Sequence, residues 1–322
     1  MDFKEKNILV TGAAGFIGSN LSCDLVKLGA NVTGIDNLFN GRLENLDEIL
    51  ENKSFKFIKG DIRDFNFLLE IFKDIDIIYH EAAFTSVPQS VLMPESCNSV
   101  NINGTLNILN AARKRDIKKI IYASSSSVYG NTPTLPIKEN MPRIPISPYG
   151  VSKLASEAYM QAFHHVYGLK TISLRYFNVF GPRQKDSPYS GVIAIWLGRI
   201  LNNKELIIFG NGEQSRDFTY VKDVIQANLL ATENNISGEI INIGAGSPIK
   251  LTDLAKLMLK LTNKENLKVI YTDPRPGDIL HSYADISKSK TLLNFKPKFT
   301  QAEGLKEYFS WFSKRYNIKN LI

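Results

Sequence analysis

A glycine-rich turn near the N-terminus constrains the fold of this chain more than any other feature. The short apolar stretch of residues 7–11 runs directly into this turn, and residues 17–28 then show helical apolar spacing. The turn contains Gly12, Gly15 and Gly18. Glycine lets the backbone approach a phosphate closely, and the following helix presents free N–H groups and its positive dipole end. The pattern predicts a pyrophosphate-binding strand, turn and helix, although a plain tight turn would use the same glycines.

An acidic residue downstream favours a dinucleotide site over a plain turn. Asp36 ends the second apolar stretch about 20 residues further on, where a carboxylate can accept hydrogen bonds from an adenosine ribose. Because this carboxylate would repel a 2′-phosphate, NAD is favoured over NADP, although Arg42 is close enough in sequence to bind such a phosphate. Asp61 and Ile62, just after the third apolar stretch, are expected beside the adenine, unless Asp61 is a plain helix cap.

Strand-like apolar stretches alternate with helical patterns along the first part of the chain. They lie at residues 7–11, 31–36, 55–59, 75–80, 119–123 and 171–175. Parallel neighbouring strands need crossover connections, which helices usually provide. The alternation therefore predicts an α/β fold with a doubly wound parallel sheet of the Rossmann type.

The pattern loosens after Gly181, where Gly- and Pro-rich segments become frequent. We therefore expect an NAD-binding domain over residues 1–180 and a smaller C-terminal substrate domain over residues 181–322. Residues 221–231 and 240–243 look regular enough to return to the first domain. The two domains are thus predicted to be partly interleaved.

Composition excludes several classes of protein. The net charge is +7, but basic and acidic residues are interleaved, which favours a solvated surface suited to anionic substrates over a nucleic-acid interface. No apolar run approaches the roughly 20 residues of a membrane span, and the first residues are polar, so a cytoplasmic enzyme is expected. Cys23 and Cys97 form neither a disulfide framework nor a CxxC half-site, so no metal is expected.

A tyrosine and a lysine lie one helical turn apart beyond the fifth predicted strand. Tyr149 and Lys153 would therefore share one helix face, where the ammonium and a positive nicotinamide ring both favour the phenolate form. The serine run at residues 124–127 falls at the end of that strand, where open parallel sheets bind ligands. These serines could merely cap the strand, but beside Tyr149 a hydroxyl can share the substrate proton.

These motifs together resemble the extended short-chain dehydrogenases. The matching segments are TGAAGFIGS at residues 11–19, GDIRD at 60–64, SSSSVYG at 124–130, YGVSK at 149–153 and LRYFNVFGPRQ at 174–184. Within that superfamily the chain is most similar to NAD-dependent UDP-hexose 4-epimerases, especially those acting on UDP-N-acetylglucosamine. The order of the motifs matches over nearly the whole chain.

The resemblance implies a mechanism with Ser125, Tyr149 and Lys153 as catalytic residues. Tyr149 would take the proton of the sugar 4-hydroxyl while the C4 hydride passes to NAD, and return of the hydride to the opposite face of the ketosugar would give the epimer. Lys153 would hold the nicotinamide ribose. The resemblance assigns cofactor contacts to Gly12, Gly15, Phe16, Ile17, Gly18, Asp36, Asn37, Asp61, Ile62, Ala82, Tyr149 and Lys153.

The same resemblance implies a site for the UDP-sugar. Its arginines would bind the diphosphate, which suits the bidentate geometry of a guanidinium, although an exposed arginine is often simply solvated. The expected substrate contacts are Ser86, Ser125, Ser126, Asn178, Val192, Phe209, Arg216, Arg275, Asp278 and Ser282.

Related activities differ from this pattern at single positions. Dehydratases of the family carry Asp and Glu directly after the catalytic Ser or Thr, and UDP-glucuronate decarboxylases carry Glu at the second of these positions. Here the two positions are Ser126 and Ser127. UDP-glucuronate 4-epimerases are the closest rival, although they usually have Thr in place of Asn178. A non-catalytic NAD-binding regulator is the alternative from another class, because fold does not fix function.

The sugar-side residues point to an N-acetylhexosamine, with glucose as a second possibility. Ser282 occupies the position where UDP-glucose-restricted epimerases carry a bulky Tyr, and Ser86 resembles the N-acetylhexosamine branch, whereas Glu81 and Phe84 are less typical. Alternatively, Ser282 caps the turn before Asp285.

A homodimer is also expected. Residues 95–113 and 152–167 read as helices with more apolar residues than one buried face needs. In the family that the chain resembles, two such helices from each subunit form a four-helix bundle. From the pattern alone, a purely internal core is nearly as good an explanation.

Overall fold

A computed structural model describes residues 3–184, 191–274 and 279–318. Its strands are β1 (Asn7–Thr11), β2 (Asn31–Asp36), β3 (Phe55–Lys59), β4 (Ile77–His80), β5 (Lys119–Ser125), β6 (Thr171–Tyr176), β7 (Asn178–Phe180), β8 (Leu206–Phe209), β9 (Ser215–Arg216), β10 (Phe218–Tyr220), β11 (Glu239–Ile243), β12 (Ile249–Lys250), β13 (Val269–Thr272) and β14 (His281–Ser282). Its helices are α1 (Phe16–Lys27), α2 (Phe65–Ile71), α3 (Val87–Leu92), α4 (Pro94–Asn98), α5 (Gly104–Lys114), α6 (Pro148–Tyr167), α7 (Val192–Leu201), α8 (Val221–Glu233), α9 (Leu251–Leu261), α10 (Ser287–Leu293) and α11 (Gln301–Arg315).

The described chain is built on a parallel seven-stranded sheet with the spatial order β11-β6-β5-β4-β1-β2-β3. Successive residues of a strand point to opposite faces, so a sheet covered on both sides needs apolar residues at both parities. Strand β1 shows this directly: Ile8 and Val10 join the core on one face, and Leu9 joins the core on the other. The α/β prediction with a doubly wound Rossmann sheet is confirmed.

Most predicted boundaries agree with the structure. Strands β1, β2 and β3 match their predictions to the residue, whereas β4 begins two residues later than residue 75. Strand β5 continues past residue 123, because Ser124 and Ser125 pair with Arg175 and Tyr176 of β6. The serine run therefore starts inside the sheet, and this places Ser125 at its carboxyl edge.

The second half of the chain contributes to this sheet and to smaller ones. Strand β11 pairs with β6, and α8 packs against α1, so both segments expected to return do lie on the large sheet. The remaining strands form the pairs β10-β7 and β13-β8 and the three-stranded sheet β12-β9-β14. The division at residues 180 and 181 stays a prediction.

The segment predicted as one helix over residues 95–113 has an internal irregularity. It consists of α4 and α5 joined by the π-helical turn Ser99–Asn103, and α5 packs beside α6. Single π turns inside helices often occur at functional sites. Cys23 and Cys97 are both free and buried, and no helix in the described ranges is long and apolar enough to cross a bilayer.

Candidate active site

The glycine turn after β1 is shaped for close approach by a ligand. Gly12 has a φ of +68°, and a Cβ there would lie 2.8 Å from the backbone nitrogen of Ala82, so a larger residue would clash. Gly15 is the N-cap of α1, and no side chain of the described residues caps this helix. The first N–H groups of α1 can therefore bind an anion, as the predicted pyrophosphate requires.

Asp36 lies at the end of β2 and is 8% exposed. Its Oδ2 accepts the Ala14 N–H at 3.0 Å and its Oδ1 accepts the Leu38 N–H at 2.8 Å. Burial raises the pKa of this carboxyl, and the backbone N–H bonds oppose that rise. Each carboxylate oxygen keeps a further lone pair, so the site fits an adenosine ribose as predicted.

The residues predicted to lie beside the adenine are held by an ion pair. Asn37 donates to Asp61 at 2.9 Å, and Arg63 binds both carboxylate oxygens of Asp61 at 2.9 and 2.7 Å. The Arg63 guanidinium holds the pKa of Asp61 well below its usual range. Asp64 rather than Asp61 caps α2, so the helix-cap interpretation of Asp61 is wrong. Ile62 is buried beneath Gly104.

A buried histidine that the sequence analysis missed fixes the predicted contact Ala82. The Ala82 N–H donates to Thr11 Oγ1 at 3.0 Å, and this hydroxyl lies 2.8 Å from Nδ1 of His80. Nε2 of His80 lies 2.9 Å from the hydroxyl of Thr105. Burial lowers the pKa of His80 to about 3, so the ring is neutral at physiological pH. The chain of bonds holds β4 against the glycine turn.

The three predicted catalytic residues come together at the carboxyl end of β5. Ser125 interacts with the Tyr149 phenol and acts to lower its pKa, and its Oγ accepts the N–H and hydroxyl of Ser127 at 3.2 and 3.0 Å. Nζ of Lys153 donates to the Ala123 carbonyl at 2.7 Å and lies 5.9 Å from the centre of the Tyr149 ring. One strand-end residue therefore presents a hydroxyl, and one helix face presents a phenol and an amine, at the same place.

Burial dominates the electrostatics of this cluster. It raises the pKa of Tyr149 to about 12, and the hydrogen bond with Ser125 opposes the rise. Burial also lowers the pKa of Lys153 to about 8 and raises that of the Glu81 carboxyl to about 7. Tyr149 is thus a phenol in the protein alone, and proton abstraction at neutral pH needs a further positive charge beside it.

Three predicted substrate residues are gathered around Asp217, which the sequence analysis did not identify. The Asp217 carbonyl accepts the Asn178 N–H at 3.1 Å, and the Asp217 N–H donates to the Ser282 carbonyl at 3.0 Å. Arg216 precedes Asp217 and pairs with Ser282 across β9 and β14. One backbone segment therefore sets the positions of Asn178, Arg216 and Ser282.

The carboxylate of Asp217 explains why that segment is fixed. The side chain is fully buried, and it accepts the N–H groups of Ala245, Gly246 and Ala284 at 2.7 to 3.1 Å. Burial raises its pKa, and these N–H bonds oppose the rise. Through these hydrogen bonds the carboxylate joins β9 to the loop after β11 and to the residues after β14.

The other predicted substrate residues are spread along the edge of this region. Ser86 is the N-cap of α3, and Ser126 begins the short helical turn after β5. Val192 begins α7, and the carbonyl of Phe209, at the end of β8, accepts a bond from Gln214. Arg275 and Asp278 lie outside the described residues.

Comparisons with known proteins agree with this geometry. Residues 8–244 match the family described as the NAD dependent epimerase/dehydratase family. The chain belongs to this family. NAD is the cofactor of the family, and the geometry of Gly12, Gly15 and Asp36 fits it.

Several relatives that match nearly the whole chain are named as sugar-nucleotide 4-epimerases. A putative UDP-glucose 4-epimerase from Methanocaldococcus jannaschii is 40% identical over 94% of this chain and 97% of its own length. The UDP-N-acetylglucosamine 4-epimerase from Methanobrevibacter ruminantium, solved with UDP-N-acetylmuramic acid, is 42% identical, with a TM-score of 0.93 over 97% of this chain and 99% of its own. The UDP-glucuronic acid 4-epimerase from Bacillus cereus, solved with UDP-glucuronic acid and NAD, is 35% identical. Its TM-score is 0.89 over 96% of this chain and 100% of its own. The relatives support UDP-sugar 4-epimerase activity and differ in the sugar.

Two polar networks in this epimerase/dehydratase family member support the predicted catalytic residues. Asn101, in the π-helical turn, accepts the Phe84 N–H at 2.7 Å and donates to the Phe84 carbonyl at 3.1 Å and to Ser152 at 2.8 Å. Its amide therefore ties the loop after β4 to α6. The sequence analysis did not identify Asn101, because a single asparagine within a helical pattern gives no local signal.

The second network is a buried ion pair. Arg175 binds both carboxylate oxygens of Glu157 at 2.8 and 2.7 Å, and both side chains are 1% exposed. Ser124 donates to the same carboxylate, and Arg175 also binds the hydroxyl of Tyr129 at 2.6 Å. Since Glu157 follows Lys153 by one helical turn, the pair fixes α6 relative to β5 and β6.

Proposed function

We propose that the protein interconverts UDP-N-acetylglucosamine and UDP-N-acetylgalactosamine by inverting C4, with UDP-glucose and UDP-galactose as a second substrate pair. The observation that carries this proposal is the cluster of Ser125, Tyr149 and Lys153 at the carboxyl edge of the sheet. The positions after Ser125 are serines, so the extra acid that elimination or decarboxylation would use is not found there. Proton transfer at a single hydroxyl is the chemistry that this set of residues can perform.

Each residue of the site has its own role in the proposed reaction. Tyr149 takes the proton of the sugar 4-hydroxyl, and the Ser125 hydroxyl shares that proton through its bond to the phenol. Bound NAD supplies reversible hydride transfer at C4 together with a positive ring charge. The Lys153 ammonium lies on the same helix face and favours the phenolate form of Tyr149. Arg216 and Asn178 hold the diphosphate while the ketosugar turns its other face to Tyr149.

The choice of an N-acetylhexosamine rests on the small side chain that lies next to Arg216 in the proposed sugar pocket. Ser282 pairs with Arg216 in β14 and is 9% exposed, so a small side chain stands next to the residue assigned to the diphosphate. The similarity to the UDP-N-acetylglucosamine 4-epimerase of Methanobrevibacter ruminantium supports the same choice.

Parallel proton NMR assays test the proposal. The purified protein is incubated separately with UDP-N-acetylglucosamine, UDP-glucose and UDP-glucuronate, and the anomeric signals of the 4-epimers are followed. We expect fastest conversion of the N-acetylated sugar. Conversion of UDP-glucuronate alone would support the rival epimerase, and no conversion of any sugar by NAD-loaded protein would support the non-catalytic regulator.

We further propose that the protein is a homodimer through α5 and α6 of each subunit. Val151, Tyr159 and Val166 of α6 are 50%, 37% and 69% exposed, and their spacing places them on one helix face. An apolar face of this kind next to α5 fits a four-helix bundle. Light scattering at micromolar concentration should give twice the 36.2 kDa of one chain. A species of 36.2 kDa alone would refute the dimer, and Val166→Glu should weaken it.

A further inference from the structure

The short helix α3 contacts the helix that carries Tyr149. Ser90, in the middle of α3, is completely buried. Its Oγ donates to the Val87 carbonyl at 2.7 Å and accepts the backbone N–H of Tyr149 at 3.1 Å. A side chain from outside α6 thus bonds directly to the backbone of the proposed catalytic base.

The first turn of α6 shows why this bond matters. The first N–H groups of a helix have no partner within the helix, and a buried one is costly to leave unpaired. Here Pro148 has no N–H, Gly150 donates to the Ser147 side chain at 3.1 Å, and Val151 donates to the Ser147 carbonyl at 2.9 Å. Ser90 is the partner found for Tyr149, so the hydrogen bonds of this turn are completed by α3.

The same short helix also reaches the substrate side. Ser86 caps α3 by accepting the Gln89 N–H at 3.3 Å, and its carbonyl accepts the Ser90 N–H at 2.9 Å. A residue assigned to the sugar and the residue that holds Tyr149 are therefore joined by one turn of helix. A shift of Ser86 would therefore move Ser90, and through the hydrogen bond of Ser90 it would move the backbone of Tyr149.

We propose that Ser90 is a positioning residue that holds the backbone of Tyr149 so that its phenol meets Ser125 and the sugar 4-hydroxyl. The proposal rests on the proposed function, because it acts through Tyr149. Small displacements of a catalytic group lower turnover far more than they lower binding, since binding depends on many other contacts. Ser90 should therefore affect kcat rather than KM.

The test compares Ser90→Ala with Ser289→Ala in the NAD-loaded full chain. Ser289 is a matched control, because it is also completely buried and its hydroxyl also donates to the carbonyl three residues before, that of Ile286, at 2.9 Å. Ser90→Ala should lower kcat about five- to tenfold with KM and NAD content unchanged, whereas Ser289→Ala should leave kcat near wild type. Ser90→Cys, with a weak sulfur acceptor, should fall between wild type and Ser90→Ala.

A pH profile separates positioning from a general loss of stability. The bond with Ser125 opposes the rise in the pKa of Tyr149, so a loosened Tyr149 should have a higher pKa. The acidic limb of the pH profile of kcat should then move to higher pH in Ser90→Ala and keep its wild-type position in Ser289→Ala. The proposal would be overturned if the two variants had equal kcat values and if the acidic limbs of their pH profiles lay at the same pH. If Tyr149→Phe also turned over normally, the proposed function itself would fail, so the two failures are distinguishable.

Discussion

Replacing Tyr149 with phenylalanine is expected to lower kcat by about 10²- to 10⁴-fold, the range typical of acid-base groups. The substitution keeps the ring and removes the phenol oxygen that interacts with Ser125. UDP-sugar affinity should change little, because Asn178 and Arg216, which are assigned to the diphosphate, lie on β7 and β9 rather than on α6. Steady-state NMR or coupled assays of kcat and KM measure both quantities.

A matched control for this variant is Tyr159→Phe. Tyr159 lies on the same helix, on the face proposed for the dimer, and phenylalanine keeps its ring there, so losing its hydroxyl should leave turnover unchanged. Both proteins should release the same amount of NAD on heating, which shows that the cofactor site is intact. Turnover of Tyr149→Phe within about threefold of the control would rule out Tyr149 as the base.

Ser282→Tyr is expected to remove activity on the N-acetylated sugars selectively, by about 10- to 100-fold in kcat/KM. The added ring would occupy space in a nearly closed wall, and overpacking costs about 1 to 3 kcal/mol. Activity on UDP-glucose should fall much less, because its C2 hydroxyl is smaller than an N-acetyl group. The ratio of kcat/KM for UDP-N-acetylglucosamine and UDP-glucose is the quantity to measure.

The control for this substitution is Ser287→Tyr, five residues further on at an exposed position. It adds the same ring without narrowing the site, so the ratio of the two kcat/KM values should stay at the wild-type level. An equal loss on both sugars in Ser282→Tyr would show that this position does not set the size of the pocket.

The fold was largely readable from local patterns, because a glycine turn and alternating apolar stretches depend on neighbours in sequence. Strand β1 and the turn at Gly12 are predicted correctly for that reason. The inclusion of the serine run in β5 was harder to predict, because it depends on the pairing of Ser124 with Arg175, which lies in a distant segment.

The supporting residues of the site could not be found in the same way. His80, Asn101 and Asp217 are single polar residues whose partners lie far along the chain or on other elements. Burial reveals their roles, because a buried polar group must be hydrogen-bonded. Tyr149 and Lys153 could be predicted since their spacing on one helix face is itself a local pattern.

The way Asp217 is held has a consequence for how such enzymes diversify. Its backbone spaces Asn178 and Ser282, while its carboxylate is bonded to loops that do not depend on the side chain at position 282. Mutation can therefore exchange the residue proposed to face the sugar without moving the groups proposed to bind the diphosphate. Selectivity for the sugar and affinity for the nucleotide can evolve separately, and one scaffold can change substrates through few substitutions.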